Sequence, residues 1–322
     1  MSVERNTPMR ALFFVVALLA ALYAGYWFIG SSQVETRAEA ALAQLESRGW
    51  EVDYTDLSTQ GFPSRFDTTV TDVHLGSPDG QVRWDAPFVQ VFALSYRPNQ
   101  VIAVWPPEQR LLVAGQPLTV ISEGLRASGT AQLSPDLPLD HAAVESGPLS
   151  VTSEQGWSAS LSRLLGAIRE AGAAPATYDV FVETENLVSP AVPVGLDLLR
   201  LDAQVTLDQP LNRHVTGTPH PRSIALREAR LTRGDVAISA RGDLAPDAQG
   251  VLAGEVTVTV NNWPGLLDLL QELEFLPFDR RALFEGAFRS LAQGEDRIEV
   301  PVTFTNGKVE ALGLVLLDAP RL

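Results

Sequence analysis

The distribution of apolar and polar positions divides this chain into an uninterrupted apolar run, a short helical stripe and a long series of alternating segments. From Ala11 to Ile29 it reads ALFFVVALLAALYAGYWFI, without a charge and apolar on every side. Coiled as a helix at 1.5 Å per residue, the run is about 28 Å long, the thickness of a bilayer's hydrocarbon core. Val34, Ala38, Ala41, Leu42 and Leu45 come next at helical spacing, with Glu35, Arg37, Glu39, Gln44 and Glu46 on the other faces. That pattern predicts a connecting helix over residues 31–49, ended by Arg48-Gly49 and packed by its stripe on the adjoining domain.

From Trp50 to about Gly156 apolar and polar residues alternate over short windows, broken by turns such as Ser77-Pro78-Asp79-Gly80 and Ser134-Pro135-Asp136. Proline presets φ there and aspartate bonds its own backbone, so these segments predict strands joined by tight turns. Leu161, Leu164, Leu165 and Ile168 share a helical face, predicting a helix from Ser158 to Ala171 that closes this region. Gly172-Ala173-Ala174-Pro175 is the most linker-like stretch and marks a soft boundary. Beyond it, Leu199, Leu201, Ala203, Val205 and Leu207 alternate with Arg200, Asp202, Gln204, Thr206 and Asp208, as do Val236/Ile238/Ala240 and Val256/Val258/Val260. Each such strand has one wet and one dry face, as in an antiparallel meander. Ala245-Pro246-Asp247 repeats the turn punctuation, and two helices are predicted, over about 263–274 and 279–291. The chain closes with Val300 to Thr305, Asn306-Gly307, and a run from Lys308 to Leu317. Asn-Gly between alternating runs is a strong hairpin signal, because both central residues of a type I′ turn need positive φ.

The expected class is therefore α+β, mainly β: a transmembrane helix followed by curved antiparallel sheets. Its parts are a cytoplasmic tip and anchor (1–30), the connecting helix (31–49), a first β region with a closing helix (50–172), and a second with two helices and a C-terminal hairpin (173–322). Arg5 and Arg10 put positive charge before the apolar run, and Tyr23, Tyr26 and Trp27 stand near its far end like an interfacial aromatic belt, so the N-terminus is expected inside and the bulk outside. A cleaved signal peptide is the alternative, with Ala38-Glu39-Ala40 as a small-x-small site. Against cleavage, the run exceeds a usual signal core, and Glu35 and Arg37 lie between it and that site. A buried core helix is disfavoured because a terminal run apolar on all sides has no partners to cover it.

With 39 acidic and 24 basic residues the net charge is -15, so nucleic acid would be repelled over most of the surface and is not an expected partner. The chain has no Lys/Arg cluster for anionic head groups, so a bound lipid would be held through apolar contacts. The absence of cysteine removes disulfides, thiolate metal sites and thiol nucleophiles. No G-x-S-x-G elbow, phosphate loop, dinucleotide fingerprint or H-E-x-x-H helix occurs, so no catalytic residue, cofactor or metal is assigned and the chain is expected not to be an enzyme.

Four histidines remain: His74, His141, His214 and His220. Asp72 and His74 are two apart in an expected strand, where a carboxylate orienting an imidazole would share its face; alternate polar residues on a wet strand face are the ordinary explanation. His214 and His220 share a Thr/Gly/Pro-rich loop but lack a third ligand by spacing, which favours a solvated loop over a metal site. Trp84, Phe88, Phe92 and Trp105 are candidates for an apolar, lipid-binding groove, weighed against ordinary core packing. The stretch from Ala86 to Val104 is apolar at both parities in places (Phe88-Val89, Val101-Ile102-Ala103-Val104), so both faces there are expected to be covered.

Gly61-Phe62-Pro63 before a β run with Arg65-Phe66, Gly242-Asp243-Leu244, Gly250-Val251-Leu252-Ala253-Gly254, and Val300-Pro301-Val302-Thr303-Phe304 with Asn306-Gly307, Leu312-Gly313 and Pro320 together resemble the domain of unknown function 2125 family. The resemblance takes in the N-terminal run and nearly the whole chain. It implies an alphaproteobacterial membrane-associated protein without established activity, hence a single-pass inner-membrane protein with its bulk in the periplasm. More distantly, an anchor followed by strand-turn units looks like the AsmA-like proteins, elongated β structures linked to envelope lipid homeostasis. Lipid or another envelope protein is the expected partner, the alternatives being a ligand-free scaffold or tether of an envelope complex and, more remotely, a hydrolase with an unrecognised site.

Overall fold

The computed structural model describes residues 7–172, 174–274, 276–292 and 294–321. Arg5, half of the expected charge bias, lies outside the described residues, and of Arg10 only the backbone is described. The apolar run and the amphipathic stretch after it form one helix, α1 (Thr7–Ser47), rather than two. No glycine-proline break separates them, and the helix stops where Gly49 adopts φ 88°.

By its internal contacts the chain forms two compact units, residues 1–120 with 126–128, and residues 121–125 with 129–322. In the first, α1 is followed by β1 (Glu51–Asp53), β2 (Asp56–Gln60), β3 (Arg65–Gly76), β4 (Val82–Leu94), β5 (Arg97–Val104), β6 (Glu108–Val113) and β7 (Gln116–Ser122), whose end passes into the second unit. All pairings described here are antiparallel. β3 pairs with β4 from Arg65↔Leu94 to Gly76↔Arg83, and on its other side with β2 and then β1. Phe66 and Thr68, on the β3 face toward α1, are buried, and the Thr59 N–H donates to Glu35 Oε1 of the helix at 2.6 Å.

β8 (Arg126–Ala131) begins in the first unit and ends in the second, which continues with β9 (Leu139–Ser146), β10 (Leu149–Ser153), β11 (Ser158–Leu161), β12 (Arg163–Glu170), β13 (Thr177–Ser189), β14 (Val192–Leu207), β15 (Pro221–Arg233), β16 (Val236–Pro246) and β17 (Leu252–Asn261). Then come α2 (Trp263–Glu272), a 3₁₀ turn (Phe278–Arg280), α3 (Arg281–Ala292), β18 (Arg297–Thr305), β19 (Lys308–Ala311) and β20 (Leu314–Asp318). β9, β12, β13, β14, β15, β16, β17, β18, β19 and β20 pair in that order as an antiparallel meander. The mainly β class with an N-terminal apolar helix is as expected.

The helix expected over Ser158–Ala171 is corrected: these residues are β11 and β12. Leu164, Gly166 and Ile168 alternate along β12 between Ser146/Val144/Ala142 of β9 and Thr184/Val182/Val180 of β13. Two flanking ladders outweigh the local helical spacing, which four aliphatic residues satisfied by coincidence. Gly166 suits this place, since a Cβ there would stand 2.9 Å from a Val144 methyl. Gly172 and Pro175 likewise belong to the turn joining β12 to β13, closed by the Ala171 N–H donating to Thr177 O at 2.9 Å, so the unit boundary lies near residues 120–129 instead; Ala173 falls outside the described residues. Both helices expected near the C-terminus are present. Trp263 and Leu267 of α2, Leu276, Ala292 of α3, Val260 and Ile298 form a buried cluster. The Asn306-Gly307 hairpin is also present, with φ of 50° and 73°. The run after it divides at Leu312-Gly313, a second positive-φ pair that folds β20 back on β19.

Candidate functional surfaces

Strand alternation gives the second unit two chemically distinct sheet faces. On one, Ile168 lies opposite Val180, Val180 opposite Ala203, Leu201 opposite both Val182 and Ala229, Leu199 opposite Leu231, and Leu231 opposite Ile238. The row continues through Ile238↔Val260, Val260↔Ile298 and Val258↔Val300. At its β16–β18 end this apolar face is covered by α2 and α3 and forms the buried cluster. Toward β12–β15 the same face carries Ile168, Val180, Val182, Leu199, Leu201, Val205, Ile224 and Leu226, all only half-buried. Past the covering helices this face is therefore part-exposed aliphatic surface, interrupted by the buried Tyr178, Thr184 and Ala203.

The opposite face is ionic. The Asp179 carboxylate accepts from Arg227, from Arg169 Nη2 at 2.9 Å and from Gln204 Nε2 at 3.2 Å. Arg227 also donates to Asp202 Oδ1 at 2.8 Å, and the Arg200 Nε–H donates to Glu183 Oε2 at 2.7 Å. The Arg227 and Arg169 guanidiniums hold the Asp179 carboxyl down at about 2. Arg227 reaches this cluster because the β14–β15 register shifts between Asp202 and Ala203, leaving it as the extra residue of a bulge. A shallow cavity of about 390 Å³ lies over this face, lined by Ala143, Ala167, Phe181, Asp179, Asp202 and Arg227 among others. Its charges are mutually satisfied, which suits a structural ion-pair lattice.

In the first unit, Trp84, Phe88 and Phe92 sit at alternate positions of β4 and share the face opposite to α1. Each is half-buried, and the Trp84 Nε1–H donates to Gln109 Oε1 at 3.0 Å. Trp105 stands just past the end of β5 and is also half-buried. Three of the four sequence-predicted groove residues are thus brought onto one strand face, and the fourth lies off it.

The histidines are ordered by other partners than spacing predicted. His74 faces Asp85 across the β3–β4 ladder, Nδ1 to Oδ1 at 2.6 Å. Asp72 takes φ 51° and accepts from Thr55 Oγ1 at 3.0 Å, so the carboxylate beside His74 is Asp85 and not the candidate Asp72. These residues line an open cavity of about 350 Å³ with Glu108, Gln109 and Arg110. His214 Nε2 lies 3.2 Å from Asp136 Oδ1, whereas the His220 main-chain N–H donates to Asp208 at 3.0 Å. Among the described residues no group of three or more His, Asp or Glu is placed to hold a metal.

Helix α1 of the first unit is long and apolar enough to cross a membrane over Leu12–Ser47 and is 6% buried across its most apolar stretch. A membrane-length helix and two antiparallel β units, one of them with an apolar and an ionic sheet face, define a β-rich protein. The chain belongs to the family of uncharacterized proteins conserved in bacteria (DUF2125), whose sequence profile matches residues 27–320. No curated protein and no solved structure matches it.

Proposed function

We propose that this protein is a non-enzymatic component of the bacterial envelope, held in the inner membrane by α1 with the β units in the periplasm, and that it presents the apolar face of β12–β15 to lipid acyl chains. The half-buried aliphatic row from Ile168 to Leu226 is the observation that carries this reading. Each Å² of apolar surface removed from water is worth about 25 cal/mol, so an acyl chain laid along four strands gains several kcal/mol without any head-group contact. The row's Val, Leu, Ile and Ala side chains carry no charge, which suits an acyl chain. The Arg5 and Arg10 charges ahead of the apolar run support this orientation.

Native mass spectrometry of the full chain released from membranes in a readily dissociated detergent tests the reading. Bound phospholipid in the wild type and its loss in Leu201→Arg support it. Lipid occupancy equal in both, or absent from the wild type, would remove it.

A second reading, a scaffold that recruits another envelope protein, is favoured by β20. Leu314, Val315, Leu316 and Leu317 are each more than half exposed on an edge strand, and such an edge is a template for strand addition. A stoichiometric partner lost on Leu316→Lys, with no lipid retained, would support it over acyl binding.

A further inference from the structure

The three aromatic residues near the end of the apolar run do not lie free. Tyr23 shares a hydrogen bond of 3.0 Å with the Ser95 hydroxyl, Tyr26 donates to Ser95 O at 2.7 Å, and the Trp27 Nε1–H donates to Arg65 O at 2.7 Å. Trp27 is 5% exposed and packs edge-on against Phe62 at 5.5 Å. Ser95 and Phe62 belong to the β4–β5 and β2–β3 turns, so this end of the first unit is fixed to the helix partway along its apolar run.

The level of that attachment is set by helix rise. Taking Ala11 as the start of the hydrocarbon, Tyr23 lies about 18 Å and Trp27 about 24 Å along a core roughly 30 Å thick. The turns docked there stand at or below the head groups of the far leaflet. Their outward side chains suit that level: Phe28 is 62% and Ile29 69% exposed on the helix, and Phe62 is 52% and Tyr96 64% exposed on the turns. Phe28 and Phe62 stack at 5.8 Å, making the helix and turn surfaces continuous. The turn backbones are closed internally, the Arg65 N–H donating to Gly61 O and the Ser95 N–H to Ser64 O, each at 3.0 Å, which removes donors that a bilayer would leave unpaired. Exposed Arg97 flanks the β4–β5 turn, and exposed Arg65, at the β2–β3 turn, pairs with Asp67 at 2.6 Å.

Resting on the reading of α1 as a membrane anchor, we propose that the β2–β3 and β4–β5 turns of the first unit are themselves membrane-inserted, with Phe62 and Tyr96 in the interfacial layer of the far leaflet. The β sheet then begins inside the bilayer surface with no intervening aqueous stalk, and the Asp79 turn at the other end of β3 projects into water.

The cysteine-free chain permits a direct test. Single nitroxides at Leu18→Cys, Phe62→Cys, Tyr96→Cys and Asp79→Cys are placed in the full chain, reconstituted in phosphatidylethanolamine/phosphatidylglycerol vesicles, and accessibility to oxygen and to a water-soluble nickel chelate is read by electron paramagnetic resonance. The expected result is a deep label at Leu18, an oxygen-to-nickel ratio at Phe62 and Tyr96 several-fold above that at Asp79, and an aqueous Asp79. Because Phe62 supports Trp27, Tyr96 is the position that keeps the test independent of packing. A deep Leu18 with Tyr96 as nickel-accessible as Asp79 overturns the insertion and leaves the anchor standing; an aqueous Leu18 overturns both.

Discussion

Replacing Trp27 by alanine tests how the helix is held to the first β unit. The indole is 5% exposed, packs against Phe28, Phe62 and Phe66 at ring separations of 5.2, 5.5 and 6.0 Å, and donates to Arg65 O at 2.7 Å. Truncating such a residue costs about 3–5 kcal/mol, whereas Trp27→Phe keeps much of the ring packing and loses the hydrogen bond, costing about 1 kcal/mol for the bond and its orphaned carbonyl. The Thr59 amide is the natural reporter: it is bonded to Glu35 Oε1 of the helix, so undocking deprotects it while the β2–β3 ladder remains. At about 1.4 kcal/mol per tenfold, hydrogen exchange at Thr59 should accelerate by roughly a hundredfold or more in Trp27→Ala and by severalfold in Trp27→Phe. Amides of β13–β15 should keep their rates in both. Unchanged Thr59 exchange in Trp27→Ala, or equal acceleration across β13–β15, would refute docking through this indole.

Three further outcomes are expected from the same structure. Asp179 has its carboxyl lowered to about 2 in the fold against about 3.9 when unfolded, so its contribution is present above pH 4 and is lost as pH falls from about 4 to 2; with solvent screening of the exposed Arg169 and Arg227, Asp179→Asn should cost about 1 kcal/mol in neutral denaturant melts and flatten that acid limb. Gly254→Ala should destabilise the β16–β17 pair by more than the usual glycine-to-alanine effect, because its φ is 138° and a Cβ would stand 2.2 Å from Asp243 O; a circular-dichroism melt unchanged within a degree would contradict this. Gly30→Leu should loosen the same docking as Trp27→Ala, since even a Cβ there meets the Phe66 ring at 2.8 Å, and faster Thr59 exchange is the readout.

Much of the fold was legible wherever one pattern excluded the others. A charge-free nineteen-residue run admits few structures besides a helix. Asn306-Gly307 has one favoured geometry between alternating strands, and the even spacing of Trp84, Phe88 and Phe92 places them on one face of any strand. Leu161, Leu164, Leu165 and Ile168 failed because their spacing suits a helix while alternate members also fit a strand, and only the ladders of β9 and β13 decide between the two. Trp27 read as a belt residue because an indole facing head groups and one bonded to a carbonyl of its own protein have the same sequence signature.

The candidate surfaces were less legible than the strands that carry them. The apolar row of β12–β15 is assembled from separate strands whose registers are set by pairing, and a slip of one residue would turn each dry face outward. Asp179 and Arg227 are 48 positions apart and meet only through the bulge at Asp202/Ala203, which alternation along one strand does not reveal. His74 and Asp85 are separated by 11 residues and share a face because the β3–β4 hairpin register brings them opposite, while the nearer Asp72 is turned aside by its positive φ.

The proposed envelope role requires the β units to lie outside the cytoplasm, and site-directed labelling reads this directly. A single cysteine at Ser134, an exposed turn position of the otherwise cysteine-free chain, is offered a membrane-impermeant maleimide in cells whose outer membrane alone has been permeabilised. Labelling without inner-membrane lysis is predicted. Labelling that requires lysis of the inner membrane would contradict a periplasmic location.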